Sequence, residues 1–367
     1  MAWNWQQTDW PDFSRKPEAL NACENRFLHN SGVLLGALMH LGAPDKDQLT
    51  VDLMSNEALK TSEIEGEHLS RDSLQSSIRH QLGLAVDKRK ASPAEQGVAE
   101  MMVDLYRTFA EPLSEGVLCR WHGMLMQGRR DLRDIGSYRT HEEPMRIVSG
   151  TIHRPKVHFE APPSSRVPGE MRRFVTWFNE TGPDAANALS PLVRAGTAHL
   201  YFESIHPFED GNGRIGRAIS EKALAQSQGA PTLLALAHTI ERGRKAYYAA
   251  LAQASTANEI TGWLIYFAEL AVAAQDYTHR RIEFLIGKTG FYDRLRGQLN
   301  ERQDKVLARM FREGPDEFKG GLSAENYIGI ARTSRATATR DLQDLVSKGA
   351  LVRSGERKHT RYRLNLP

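Results

Sequence analysis

Thirteen consecutive residues, Ile205-His206-Pro207-Phe208-Glu209-Asp210-Gly211-Asn212-Gly213-Arg214-Ile215-Gly216-Arg217, gather nearly every group that phosphate chemistry uses. His206, with an ordinary pKa of about 6.5, is suited to take a proton from an attacking hydroxyl. Asp210 is a hard oxygen ligand of the kind Mg²⁺ takes when it bridges phosphates. Gly211, Asn212 and Gly213 are turn residues whose backbone N–H groups can line one anion-binding concavity. Arg214 and Arg217, three apart, project from one helix face towards it. Taken singly, each has an ordinary reading: a loop histidine, a tight turn, a solvated pair of arginines. Their order within a dozen residues is what points to chemistry.

Two helices must hold this loop. Ser190 is a good N-cap and Pro191 a good first helical residue, so the first helix begins there. Leu192, Val193, Ala195, Leu200 and Phe202 give it a buried side. Pro207 biases His206 away from helical geometry, which ends the helix at about Ile205. A second helix is expected near Arg214, its positive dipole end aimed at the same point. Phe208 reads as the apolar anchor that pins the loop to the core.

The run His-Pro-Phe-Glu-Asp-Gly-Asn-Gly-Arg-Ile-Gly-Arg resembles the Fic signature, His-x-Phe-x-(Asp/Glu)-Gly-Asn-Gly-Arg-x-x-Arg, at every fixed position. The resemblance implies a protein adenylyltransferase, which moves AMP from ATP onto a Ser, Thr or Tyr hydroxyl of a target protein. It implies His206 as general base and Asp210 as Mg²⁺ ligand. Gly211, Asn212, Gly213 and Arg214 would bind the phosphates, and Arg217 the γ-phosphate end. Family members also often place a tyrosine pair near the adenine, here Tyr247 and Tyr248; two core aromatics read equally well.

A second stretch has the same family character. A helix expected from about Gln48 to Ile64 runs into Thr61-Ser62-Glu63-Ile64-Glu65-Gly66. Carboxylates do not suit a helix C-terminus, where the dipole is negative, so Glu65 should have a partner elsewhere. The string is similar to the family's inhibitory pattern, (Ser/Thr)-x-x-x-Glu-(Gly/Asn), through Thr61, Glu65 and Gly66. That implies an inhibitory helix over about 48–66, with Glu65 paired to Arg217 in the place of the γ-phosphate.

The chain has 367 residues, 40% hydrophobic, enough for two or three domains. Cys23 and Cys119 cannot build a disulfide framework and read as reduced, buried thiols. No apolar run reaches the ~18 residues of a membrane span, and Met-Ala-Trp-Asn-Trp lacks the features of a signal peptide. A cytoplasmic protein with no membrane partner is expected. Net charge is +3, but residues 332–367 hold nine Lys/Arg and three Asp/Glu, +6, leaving about −3 elsewhere. Nucleic acid is therefore a question for the tail alone.

Ahead of the loop, Trp3, Trp5 and Trp10 read as an arm that packs onto a domain. A helix is expected from Glu18 to about Leu41, ended by Gly42-Ala43-Pro44, and another from Pro112 to Gln127. The charged run Asp87-Lys88-Arg89-Lys90 reads as a solvated loop. After Gly136-Ser137-Tyr138-Arg139, the segments around Ile147 and Val157 look like two short strands about a turn. In the Fic fold such a hairpin flap, here about 145–163, pairs with the target's backbone. His141, His153 and His158 lack metal-ligand spacing and read as loop histidines.

From about Asn300, three helices and a hairpin resemble a winged helix-turn-helix. Arg335, Thr337 and Arg340 would face outward from its third helix, with Arg357 and Lys358 on the wing, placed for DNA or for a protein partner. The expected fold is therefore mainly α: an N-terminal helical region over 1–110, a Fic core over 111–280 and a winged helix over 296–367. ATP, Mg²⁺ and a flap-bound protein are the expected ligands, with self-modification and a homodimer also allowed. The alternatives are AMP removal, transfer of another phosphate-linked group, and a nucleotide-sensing DNA-binding regulator.

Overall fold

The computed structural model describes residues 2–39, 41–85, 90–151, 154–314 and 320–366. Most of the charged run at 87–90, together with His153, lies outside them. Two compact units divide the chain, Met1–Asp276 and Tyr277–Pro367. The N-terminal helices thus share one unit with the residues around the loop.

The first unit opens on an arm whose tryptophans do pack inward. It continues into α1 (Asn21–Met39) and α2 (Ala43–Ile64). Helix α1 ends before Gly42-Ala43-Pro44 as expected, but the same residues also open α2, earlier than the expected start near Gln48: Gly42 is its N-cap and Pro44 sits in its first turn, where a missing N–H costs nothing. Helices α3 (Arg71–Gln81), α4 (Pro93–Thr108) and α5 (Glu115–Leu125) follow. Ser114, rather than Pro112, caps α5 by accepting the Val117 N–H.

A two-stranded antiparallel hairpin comes next, β1 (Arg146–Thr151) with β2 (Arg154–Glu160), its register shifting between Ile147 and Val148. Then come α6 (Val167–Glu180), α7 (Pro191–Ile205), α8 (Asn212–Gln228), α9 (Leu236–Arg242) and α10 (Arg244–Ala254). Helices α7 and α8 form the centre, with α7 buried along nearly its whole length. Ser190 is the N-cap of α7 by position, but its side chain makes no cap bond. The carboxylate of Glu24 does that work from α1, accepting the Leu192 and Val193 N–H groups at 3.0 and 3.1 Å.

Helix α11 (Thr261–Arg294) runs for 34 residues, and the boundary between the units falls inside it. The second unit has its own core around Phe291, Leu307, Tyr327, Leu342 and Leu345. Its order is α12 (Glu301–Glu313), α13 (Ala324–Ala331), α14 (Arg335–Ser347), β3 (Leu351–Ser354) and β4 (Arg361–Leu364). Leu322 adds a bridge beside Tyr362 of β4. Cys23 and Cys119 are free and only half-buried. No described helix is long and apolar enough to cross a membrane.

Candidate active site

The loop between α7 and α8 is built by its own side chains. His206 caps α7 in the left-handed conformation (φ 51°, ψ 60°), donating its N–H to Phe202 at 2.9 Å. That conformation is uncommon for a residue with a side chain, and it turns the chain sharply out of the helix. Phe208 is fully buried and stacks on His122 with ring centroids 4.2 Å apart. The Asn212 amide spans the turn, accepting the Phe208 N–H at 3.0 Å and donating to the Phe208 carbonyl at 2.8 Å. Gly211 sits at φ 80°, which lets α8 begin at Asn212, two residues before the expected start.

The His206 imidazole is enclosed. Burial, helped by the Arg139 charge, pushes its pKa down to about 4, so the ring is neutral near pH 7 and free to accept a proton. Its Nδ1 lies 3.7 Å from Glu203 Oε2, too far for a hydrogen bond. Burial also raises Glu203 to about 8, so this carboxyl is largely protonated beside a neutral ring.

The two arginines do lie on one side of α8, and both are engaged by residues 61–67. Arg217 donates Nε to Thr61 Oγ1 at 2.7 Å, and Nη2 to the Thr61 carbonyl at 3.1 Å and to Glu65 Oε1 at 2.7 Å. Burial works against this guanidinium's charge, but Glu65, Tyr247 and Glu203 around it hold its pKa above the usual value. Arg214 donates Nη1 to Glu67 Oε2 at 2.7 Å. The Glu65 carboxylate rests on the first turn of α8: a Cβ on Gly213 would lie 2.5 Å from its Oε1, so a larger residue there would push the carboxylate aside. Glu65 therefore has the remote partner that its place at a helix end calls for. Arg244 meets the other end of the dipole, donating to the Glu63 and Ile64 carbonyls at 3.3 and 3.2 Å.

Asp210 faces the same concavity. Its Oδ1 accepts the Gly211 N–H at 2.6 Å and lies 3.6 Å from Arg214 Nη2; Oδ2 accepts from Arg129 Nη1 at 2.7 Å. Burial disfavours its charge, but these partners outweigh burial and hold its pKa below the ordinary value. The Gly211 amide is thus turned to Asp210, while the first amides of α8 have no intrahelical partner, as at any helix start. No group of three or more His, Cys, Asp or Glu among the described residues could cage a metal. A single carboxylate suits Mg²⁺, which takes one or two and draws its other ligands from phosphates and water.

The tyrosines divide. Tyr247 is buried, its hydroxyl 2.6 Å from His199 Nε2, while Tyr248 is about half exposed. In the second unit, Arg335 and Arg340 are exposed on α14 and Arg357 on the β3–β4 connection. Arg335 already pairs with Glu325 at 2.8 Å. Thr337 does not face outward: it is half-buried, with its hydroxyl 3.1 Å from the Ser334 N-cap hydroxyl. The Lys358 side chain lies outside the described atoms.

Four contributors escaped the sequence reading: Arg129, Arg139, His122 and Glu203. Only Glu203 had a local signal, standing one helical turn before His206. The others come from separate segments and meet the loop only in three dimensions.

A helical core thus presents a glycine turn at a helix start, with a neutral imidazole on one side and a carboxylate on the other. Residues 112–224 match the Fic/DOC family model, and residues 3–84 match a domain of unknown function (DUF4172). The chain carries a Fic/DOC domain. It is 34% identical over 96 residues to a probable protein adenylyltransferase of Aquifex aeolicus, covering 26% of this chain and 26% of that one. Against the protein adenylyltransferase Fic of Drosophila grimshawi it is 33% identical over 100 residues, 26% of this chain and 19% of that one. The chain thus matches about a quarter or less of the length of these curated relatives.

Among solved structures, a Fic family protein from Desulfovibrio desulfuricans G20 superposes with a TM-score of 0.54 at 21% identity, covering 96% of this chain and 98% of that one. A Fic domain containing signaling protein from Bacteroides thetaiotaomicron VPI-5482 gives 0.53 at 18% identity, covering 72% and 97%. At such identities the likeness is one of fold.

Proposed function

We propose that this protein transfers AMP from ATP to a hydroxyl of a protein side chain and that Glu65 holds the reaction in check. The observation that carries the reading is the enclosed, neutral imidazole of His206 beside the glycine turn of α8 and the arginine-lined first turns of that helix. The target oxygen bonds to the α-phosphorus of ATP, the bond to the pyrophosphate oxygen breaks, and the hydroxyl proton passes to the His206 imidazole. Asn212 fixes the turn, and the α8 amides with Arg214 meet the negative charge. Asp210 is the residue that would hold Mg²⁺, which when bound neutralises phosphate charge. Arg129 and Arg214 keep that carboxylate ionised and ready.

Arg217 is the natural partner of the γ-phosphate, and Glu65 now holds it. A carboxylate and a phosphate oxygen compete for the same donor, so ATP binds productively only when Glu65 withdraws. Tyr248 stands at the exposed edge of the tyrosine pair, and the adenine role belongs to it more readily than to the enclosed Tyr247. On the hairpin, Ile147, Val148 and Val157 are exposed apolar residues. Such an edge suits a target segment added as an extra strand.

The deciding experiment is intact-mass spectrometry of the full chain and its Glu65→Gly variant incubated with ATP·Mg²⁺. An AMP-sized increment on the variant, through self-modification, is the expected result. No increment on either protein, or on added candidate targets, would remove the reading. AMP release from a modified protein would move it to the reverse reaction.

A second reading concerns residues 277–367 alone. The order of three helices and a hairpin, with the Leu322 bridge beside the hairpin, supports reading it as a winged helix-turn-helix. Exposed Arg332, Arg335, Arg340, Arg353 and Arg357 give it a basic face suited to DNA phosphates. Salt-dependent retention of the full chain by duplex DNA, lost in an Arg340→Glu, Arg357→Glu double variant, is the expected result. Binding that ignores those changes would assign the face to another partner, such as a second copy of the chain.

A further inference from the structure

We infer that Arg139 is the positioning residue of this site: its guanidinium fastens the left-handed turn that aims His206 to the chain leaving the hairpin, so that base and hairpin are set by one clamp. The inference rests on the reading of His206 as the base.

Arg139 is 2% exposed and meets no carboxylate among the described residues, an uncommon state for an arginine. It spends its donors on backbone and one hydroxyl. Nε donates to the His206 carbonyl at 2.8 Å, and Nη2 to the Pro162 carbonyl at 2.5 Å and more weakly to that of Ile205 at 3.5 Å. Nη1 donates to Ser164 Oγ at 2.8 Å, and that hydroxyl donates on to the His141 carbonyl at 2.6 Å. The Arg139 N–H itself donates to the Pro207 carbonyl at 2.9 Å. Three consecutive residues of the loop, Ile205 to Pro207, are therefore gripped by one side chain and its own backbone. Pro162 and Ser164, on the same guanidinium, lie just past the end of β2.

Two features call for such a grip. His206 holds a positive φ that a residue with a side chain adopts only when its surroundings over-determine it. The hairpin is two-stranded and needs support at its base to hold any register. Planar guanidinium geometry suits this task, since several donors leave one rigid plane in different directions; a lysine ammonium cannot reproduce it. The clamp also has an electrostatic consequence. The charged and titratable groups that bear on the His206 imidazole are Arg139 from its loop, Glu203 from α7, Glu65 from the end of α2 and Asp210 from the turn. Arg139 is the cation in this set, and it opposes protonation of the ring.

The test compares Arg139→Gln and Arg139→Lys in the full-length Glu65→Gly protein, with Ser164→Ala as a milder third variant. For Arg139→Gln the expected result is a fall in kcat of about a hundredfold, the scale of a misaimed catalytic group, with KM for ATP little changed. The acid limb of its pH–rate profile should move to higher pH, because a cation that opposed protonation is gone. Arg139→Lys should keep the parental acid limb and recover part of kcat. Ser164→Ala should lose a few-fold in kcat with the profile unmoved. Activity that merely follows the folded fraction, with all profiles superimposable on the parent, would overturn the assignment, as would parental kcat in Arg139→Lys and Ser164→Ala together. An NMR titration of the His206 ring in parent and Arg139→Gln needs no turnover. Should the Glu65→Gly parent transfer no AMP, the proposed function falls, and the titration decides the clamp by itself: a raised ring pKa keeps it, an unmoved one ends it. Should Arg139→Gln fail to fold, the lysine and alanine variants decide.

Discussion

Arg217 and Arg139 are both buried and both bonded to distant segments of the fold, yet they are bonded in opposite ways. Arg217 meets a carboxylate at the edge of a concavity, together with a hydroxyl and a carbonyl from the same helix end. Arg139 meets carbonyls and a hydroxyl, deep in the packing. A carboxylate on a half-exposed side chain can be exchanged for a phosphate oxygen, because the incoming group brings the same charge and geometry. Backbone carbonyls cannot be exchanged without moving the chain. Under the proposed function the first arginine changes partners, and under the inferred clamp the second holds one. In that proposal the same cation serves as a switch or as a frame according to whether an anion or a backbone faces it.

The largest effect expected is at the proposed base, His206. His206→Ala in the Glu65→Gly protein should lower AMP transfer by about 10²–10⁴-fold while leaving a folded protein. A rate within a few-fold of the parent would mean that neither arginine serves a base at His206. Next comes the exchangeable partner itself. Glu65→Gly should raise transfer by roughly 10–100-fold, the equivalent of losing one charged hydrogen bond of about 1.5–3 kcal/mol. A flat response would make the Arg217 contact purely structural. Thr61→Ala removes only the neutral hydroxyl that steadies the guanidinium, worth about 1 kcal/mol, and should raise transfer no more than about fivefold. A larger gain than that of Glu65→Gly would shift the hold from charge to the helix end.

Acid should act on stability as well as rate. His206 and His122 are each pushed down to about 4 by burial, and His199 to about 3. Their unfolded counterparts titrate near ~6.5, so between those values the unfolded chain binds more protons. The stability these three rings contribute is therefore complete above about pH 6.5 and is lost as pH falls towards 4, while Glu203, Glu57 and Glu221, raised to about 8, 8 and 7 by burial, act in the opposite direction over the same range. Thermal melts should therefore show the Tm of His199→Phe rising relative to the parent's between pH 7 and 4.5. A difference that holds constant across that range would mean this ring is reached by water.

The parts that could be read beforehand were those whose causes are local. Pro191 opens α7, Pro207 ends it, and Phe208 anchors the turn, each for reasons within a few residues of itself, whereas the cap expected of Ser190 comes from distant Glu24. Glu65 announced a distant partner because it stood at the wrong end of a dipole. By contrast, Gly42-Ala43-Pro44 marked the end of α1 but not the start of α2, since the same Pro can follow one helix and open the next. Arg139 was passed over because nothing in Gly-Ser-Tyr-Arg says which carbonyls lie above it. A side chain whose partners are all backbone leaves no complementary residue in the sequence to find.

The smallest expected effect asks whether the frame continues beyond Arg139 into the N-terminal arm. Trp5 donates its indole N–H to the Glu160 carbonyl, the last residue of β2, at 2.7 Å, and Trp3 meets Phe159 edge-on with ring centroids 5.3 Å apart. Asn4 between them donates to Ser204 Oγ at 2.8 Å, on the last turn of α7. The arm thus touches both the base of the hairpin and the helix that carries His206, as Arg139 does from the other side. Trp5→Phe keeps the apolar bulk and removes only the hydrogen bond, worth about 1 kcal/mol. In the Glu65→Gly protein it should leave KM for ATP unchanged and raise KM for an added protein target by about two- to fivefold, since only the hairpin's register is loosened. An equal change in both constants would make the arm part of the general core, and no change in either would limit the frame to Arg139.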